Sequence, residues 1–268
     1  MPTPRTTRLT FLADGVDVSM PRGWDELSQR ELEYVLTALS LFAPGQAAAY
    51  AFLRLAGLHI EGRPESGSKR IYLTVRRGWR RKRFAVGRWQ LAWAARQMDW
   101  VAEPPSSPVR LAVIDGMHAI DAAWHGLPFG DYLKIENLWQ GFISSRDDEP
   151  LRRMAALLYR HRDGRPAERI RLRPHEALGV SYWVSGTREM LARTFRNLFR
   201  KTDGTVAGVP DMRAAMDTQI RALTDGDATK EADVLRLDCW RALTELDTKA
   251  REAQEYKDRL KRIRHGTR

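Results

Sequence analysis

Between Leu127 and Arg160 the apolar positions recur at helical spacing. Tyr132, Ile135, Leu138, Trp139, Phe142 and Ile143 fall on one helix face. Asp147, Asp148 and Pro150 predict the end of that helix and the start of another, with an acidic N-cap and a proline in the first turn. The second helix carries Leu151, Met154, Ala155, Leu158 and Tyr159 on one side. Two amphipathic helices joined by a short polar turn cannot bury their stripes alone, so other elements must pack on them.

Elsewhere the pattern switches between the two periods. From Arg8 to Met20, Leu9 and Phe11 alternate with polar residues, Asp14-Gly15 follows, and Val16 and Val18 alternate again. This predicts a β-hairpin closed by Pro21. Ser28 and Glu31 form a capping-box pair ahead of a stripe at Leu32, Val35, Leu36, Leu39 and Phe42. Pro44-Gly45 breaks that helix, and Ala47 to Ala56 predicts a second, small-residue helix packed on it. Ile71, Leu73 and Val75 alternate, RRGWRRKR spans 76–83, and alternation resumes at Phe84, which predicts a second hairpin with a basic tip. Trp89 to Val101 reads as a helix. Glu103 to Pro108 is the clearest linker. A short strand is expected at Glu168–Leu172 and a helix over Ala177–Phe199, ended by Asp203-Gly204.

From Pro210 onward apolar residues thin out and charges rise. Val234, Leu237, Trp240, Leu243, Leu246, Ala250, Ala253, Tyr256, Leu260 and Ile263 make one long stripe with steps mostly of three, too uneven for a heptad seam. The prediction is a long, partly exposed C-terminal helix with a basic end. The fold expected is mainly α (α+β): a helical protein with two small β-hairpins and a long C-terminal helix. Its expected segments are 1–102, 109–203 and 210–268, the last a separable charged arm. Trp240, Leu243, Leu246, Tyr256 and Leu260 are the expected protein-binding residues of that arm, because an uncovered apolar stripe marks an interaction site.

Composition narrows the classes. Hydrophobic residues make up 43% of 268, enough for a core. No apolar run approaches the ~20 residues of a membrane span, and MPTPRTTRLT lacks the apolar core of a signal peptide. The expected compartment is the cytoplasm. Cys239 is the only cysteine, so an intrachain disulfide and a cysteine-based metal cluster are excluded. Lys and Arg number 45 against 34 Asp and Glu, a net charge of +11. That balance favours polyanionic partners, although an Arg-rich composition is equally expected of a host with a GC-rich genome.

Searching for chemistry yields little. Gly62, Gly67 and Lys69 lack the phosphate-loop order, since Ser68 separates the second glycine from the lysine. His118 and His125 have no carboxylate at ligand spacing. Glu255 and Lys257 stand on a charged helix rather than a strand. Asp147, Asp148 and Glu149 read as helix capping, not as a cation site. No nucleophile signature occurs. The expectation is a non-enzymatic protein without cofactor or metal. The exception is the run Arg76, Arg77, Trp79, Arg80, Arg81, Lys82 and Arg83. Packed positive charges repel one another and become favourable beside phosphates, and Trp79 could stack on a base. The alternative function is therefore nucleic-acid binding by this tip and the basic C-terminal tail.

Two segments resemble known sequences. Phe129-Gly-Asp-Tyr132, leading through Glu136-Asn137 and Gln140 into Leu151 and Ala156-Leu-Leu-Tyr159, is similar to proteins of phages and prophages, especially of the Bacteroidetes. So is Met20-Pro21, Trp24-Asp-Glu-Leu27 and Leu32 before a helix. The resemblance rests on structural residues and leaves the C-terminal arm uncovered. It implies a protein of the tail region, of the tail-assembly-chaperone kind, whose partners are phage structural or assembly proteins, in the bacterial cytoplasm or associated with the virion.

Overall fold

The structure, a computed structural model, describes residues 7–11, 16–62, 69–77, 80–145, 147–200 and 212–266. The Asp14-Gly15 turn, Gly67, Gly78, Trp79 and the Asp203-Gly204 helix stop lie outside these residues. The described chain is mainly helical with small antiparallel sheets, the α+β class expected from the sequence. It forms two compact units, Met1–Pro105 with Arg173–Gly179, and Ser106–Leu172 with Val180–Arg268. The boundary at 105–106 falls inside the expected Pro-rich linker. The described residues of 210–268 cluster with the second unit.

In the first unit β1 (Thr7–Phe11) pairs antiparallel with β2 (Val16–Met20), with Phe11 opposite Val16. Helix α1 (Gln29–Leu41) opens on the expected capping box: the Ser28 backbone N–H donates to Glu31 Oε2 at 2.9 Å. Leu32, Val35 and Leu36 are buried on its inner face. Helix α2 (Pro44–Leu55) buries Ala47, Ala48 and Ala51, small side chains that let two helices approach closely. Phe42, expected in the α1 stripe, is exposed and stacks on Tyr50, with centroids 4.5 Å apart.

A three-stranded antiparallel sheet follows: β3 (Leu58–Ile60), β4 (Arg70–Arg77) and β5 (Arg80–Gly87), in the order β3-β4-β5. Strand β3 was not legible in the sequence, being too short for alternation to register. Leu58, Leu73, Val75, Phe84 and Val86 form the buried face. The helix expected over Trp89–Val101 is divided into α3 (Arg88–Ala95) and a 3₁₀ turn over Arg96–Ala102. It buries Ala94, Met98 and Val101, whereas Trp89 and Trp93 face solvent.

The second unit begins with β6 (Val113–Ile114) and β7 (Met117–Ala119), then α4 (Phe129–Ser145), α5 (Glu149–Leu158) and β8 (Tyr159–Arg160), which pairs with β7. The helical pair forms as its stripes predict. Tyr132, Ile135, Trp139, Leu151, Met154, Ala155 and Leu158 are buried, while Ile143 at the far end of α4 is exposed. Asp147 accepts the Glu149 N–H at the start of α5. Glu168–Leu172 is not a strand; it is irregular chain tied by the Arg171 N–H to Asp115. Helix α6 (Pro174–Thr194) contributes Val180, Trp183, Val184, Thr187 and Leu191 to this core. It ends earlier than the periodicity suggests, with Phe195 still buried beyond it.

Helices α7 (Met212–Thr224), α8 (Glu231–Arg236) and α9 (Cys239–Gly266) complete the unit. The α8–α9 corner is stitched to the start of α4. Phe129 N–H donates to the Leu237 carbonyl at 2.7 Å, and Cys239 N–H to the Leu127 carbonyl at 2.8 Å. The loop ahead of α4 is held from both sides: Trp183 Nε1 donates to the Ala122 carbonyl and Trp240 Nε1 to the Ala123 carbonyl, each at 2.7 Å. Between them Trp124 is fully buried with a left-handed backbone, φ 66°, a conformation that costs about 1–3 kcal/mol. Asp121 offsets part of it by accepting the Ala123 and His125 N–H groups.

Candidate functional site

Two surfaces carry the residues that the sequence singles out. The first is the basic hairpin. Arg76 and Arg77 belong to β4, and Arg80, Arg81, Lys82 and Arg83 to β5, so most of the run is strand rather than loop. Trp79 lies outside the described residues. Strand alternation divides the cations between two faces. Lys82 pairs with the inward Val75, and Arg80 shares that parity. Arg76 pairs with Arg81, and Arg83 with Thr74, on the outward face. Arg83 is compensated: its guanidinium lies 4.6 Å from the Tyr72 ring centroid and bridges to Glu61 at 2.5 Å.

The second is α9, where the five expected protein-binding residues separate into two groups. Leu243 and Leu246 are buried. Trp240 is half-buried; its ring stacks on His125 at 4.4 Å and meets Phe195 edge-on at 5.4 Å. These three hold the helix to its own unit. Tyr256 and Leu260 are exposed, as is Ile263. Asp247 marks the changeover. Its carboxylate accepts the Asn197 and Leu198 N–H groups at 2.8 and 2.9 Å, and so ties α9 to the end of the α6 segment. Burial raises its pKa, but the hydrogen bonds from Asn197 and Leu198 outweigh that and hold it below the usual carboxylate range.

Cys239 and the Glu136–Arg188 pair are structurally committed. Cys239 is buried, and its thiol is pushed up to about 12, first by desolvation and then by Asp238. It is a neutral thiol that donates to the Trp124 carbonyl, not a nucleophile. A cavity of about 290 Å³ is lined by Tyr132, Glu136, Ser185 and Arg188 among others. Arg188 grips Glu136 in a fork, at 2.8 and 3.0 Å, and burial followed by the charge of Glu136 raises the Tyr132 phenol. That leaves a fixed ion pair beside a neutral phenol. Among the described residues no three His, Cys, Asp or Glu side chains are grouped to hold a metal ion.

What the sequence missed is the outward exposure of Trp89 and Trp93. They stand four residues apart, a spacing that reads as a core stripe; only the placement of Ala94 and Met98 inward turns it outward. The chain matches no protein-family model, no curated protein and no solved structure.

Proposed function

We propose that this is a non-enzymatic phage morphogenesis protein of the tail region that acts by binding other proteins, in the manner of a tail assembly chaperone. The observation that carries this reading is the outer half of α9. Tyr256, Leu260 and Ile263 are 63%, 48% and 61% exposed. Their i, i+4, i+7 spacing puts them on one face, the arrangement by which a helix anchors in a partner's groove. The helix is already formed, so docking would not have to order a chain. Arg251 and Glu255 pair on the same half, and Gln254 bonds Asp258, which keeps the polar faces soluble. The phage resemblance of Phe129–Tyr159 and Met20–Leu32 supplies the biological setting, a bacterial cytoplasm in which tail proteins assemble.

The test is co-expression with the products of the neighbouring genes, among which a tail-tube or a tape-measure protein is expected. One of them should co-purify with the full chain. The Tyr256→Ser/Leu260→Ser/Ile263→Ser variant should lose that partner while melting at the same temperature. No co-purification, or wild-type recovery by the triple variant, would reject the reading.

A further inference from the structure

We infer that the groove between α4, α5 and residues 166–171 docks an acidic amphipathic helix of a partner protein. The carboxylates of that helix would meet Arg153, Arg169 and Arg171, and its apolar face would meet Leu138, Leu157 and Met216. The groove contains no residue of α9 and does not rest on the function proposed above.

The cavity holds about 940 Å³. Helix spacing builds two of its walls. Lys134, Asn137 and Leu138 fall on one face of α4, and Arg153, Ala156 and Leu157 on one face of α5, each set at i, i+3, i+4. The third wall is the irregular chain from Pro166 to Arg171, and Met216 of α7 adds to the lining. Ile170 is buried, while Arg169 and Arg171 on either side of it are exposed. Asp115 accepts the Arg171 N–H at 3.1 Å, which ties that wall to the unit through its backbone and leaves the guanidinium outside the bond. Leu138, Leu157 and Met216 are half-buried and line the groove. Leu138 belongs to the apolar stripe of α4, yet it keeps part of its surface on this cavity.

The charges select the occupant. Among the described residues of the lining, five side chains are cationic and three are carboxylic. Arg152 is bridged to Glu149 at 3.2 Å and Lys134 to Asp131 at 2.9 Å. The side chains of Arg153, Arg169 and Arg171 bond to no described residue. A guanidinium fork matches a carboxylate, and the attraction is stronger in a concave site with apolar walls than in open water. Asp115 and Glu168 stand in the same lining, so its sign is mixed. A phosphodiester chain, charged at every nucleotide, would be repelled by them, and no aromatic ring among the described lining residues offers a base a stacking partner. A single anion would leave most of the cavity unfilled. A helix can carry glutamates only where the arginines stand and leucines on the adjoining face, which is how an amphipathic helix seats in a groove.

The experiment uses the full chain and a fluorescein-labelled peptide of about 18 residues, long enough to hold a helix on docking, with leucines at i, i+3, i+4 and i+7 and glutamates flanking them. The peptide should bind, and a Glu→Gln version and a Leu→Ser version should each bind at least about ten-fold more weakly. Arg153→Gln/Arg169→Gln/Arg171→Gln should weaken the acidic peptide by about ten-fold, the sum expected of three partly solvated charge contacts. These side chains are exposed, so the variant should melt at the wild-type temperature. Tyr256→Ser/Leu260→Ser/Ile263→Ser should bind the peptide as wild type does, which separates the groove from α9. Absent peptide binding overturns the inference, as does a Gln peptide held as tightly as the Glu one. So does full affinity in the arginine variant, or loss of the peptide by the α9 variant. An oligo(dT) held more tightly than the peptide and released by the same arginine variant would assign the groove to nucleic acid and reject the helix.

Discussion

The two halves of α9 are written in much the same pattern and behave as two different surfaces. From Cys239 to Leu246 the apolar positions are sealed apart from the half-buried Trp240: Cys239, Ala242 and Leu243 have no exposure, and Leu246 almost none. From Arg251 to Ile263 the helix faces water nearly all round, with Tyr256, Leu260 and Ile263 in the open. Helix α9 lies against α4 and α7, and its exposure rises toward its C-terminal half. One stripe thus does two jobs, anchoring the helix at one end and presenting side chains at the other. Apolar spacing fixes only which face is sticky; the length of the neighbours fixes where it is covered.

The harshest way to break this comparison is truncation. Deleting 228–268 removes the carbonyl of Leu237 that receives the Phe129 N–H, and uncovers Trp124 and Phe195. The second unit should lose its cooperative melt and its near-ultraviolet tryptophan signal. Deleting 251–268 should leave both intact. Thiol labelling offers a second readout in that shorter variant: Cys239, with its pKa near 12, should stay unreactive at neutral pH until the protein unfolds. An intact melt after the longer deletion would mean that the corner is decoration.

Single side chains sharpen the contrast. Leu243→Ala should cost about 2–5 kcal/mol in denaturant unfolding, because it opens a cavity in a closed site. A cost below about 1 kcal/mol would show that the inner half can collapse around the gap, and that its anchoring lies elsewhere.

Asp247, at the changeover, should matter less and only above acid pH. Its folded pKa lies below the unfolded value of about 3.9. The carboxylate therefore adds stability that is fully present above that value and disappears as pH falls through the lower folded pKa. Asp247→Asn should lower stability at neutral pH by about 0.5–1.5 kcal/mol, and the two proteins should converge in acid. A gap that persists unchanged below pH ~3 would show that the charge is not the source.

The smallest effect belongs to the outer half. Leu260→Ala should change stability by less than about 0.5 kcal/mol, as expected at an exposed helix position, and should still weaken partner recovery. A destabilisation comparable to that of Leu243→Ala would place Leu260 in the core and end its role as an anchor.

Local rules made much of this molecule legible. The capping box at Ser28 and Glu31 and the five inward residues of α5 through Tyr159 each depend on near neighbours in the chain. Short strands were not legible, because β3, β6, β7 and β8 have three residues or fewer and alternation needs more. The basic run was read as a loop tip because arginines do not alternate in polarity. Its division into faces came from the pairing of Leu73 with Phe84. The membership of Arg173–Gly179 in the first unit is set by contacts distant in sequence, which no periodicity encodes.

Periodicity along the chain specified the long helices and the two longer hairpins, since the periods of 3.6 and 2 are properties of a single element. The sequence by itself also determined that the chain is basic and that no described helix is long and apolar enough to cross a membrane. Tertiary structure decided which sticky faces are used up. Leu243 and Leu260 look alike along the chain, as do Trp183 and Trp89, yet one of each pair is buried and the other exposed. Burial is a relation between elements, and its free energy comes from the surface a neighbour removes from water, so it is settled only when the neighbours are in place.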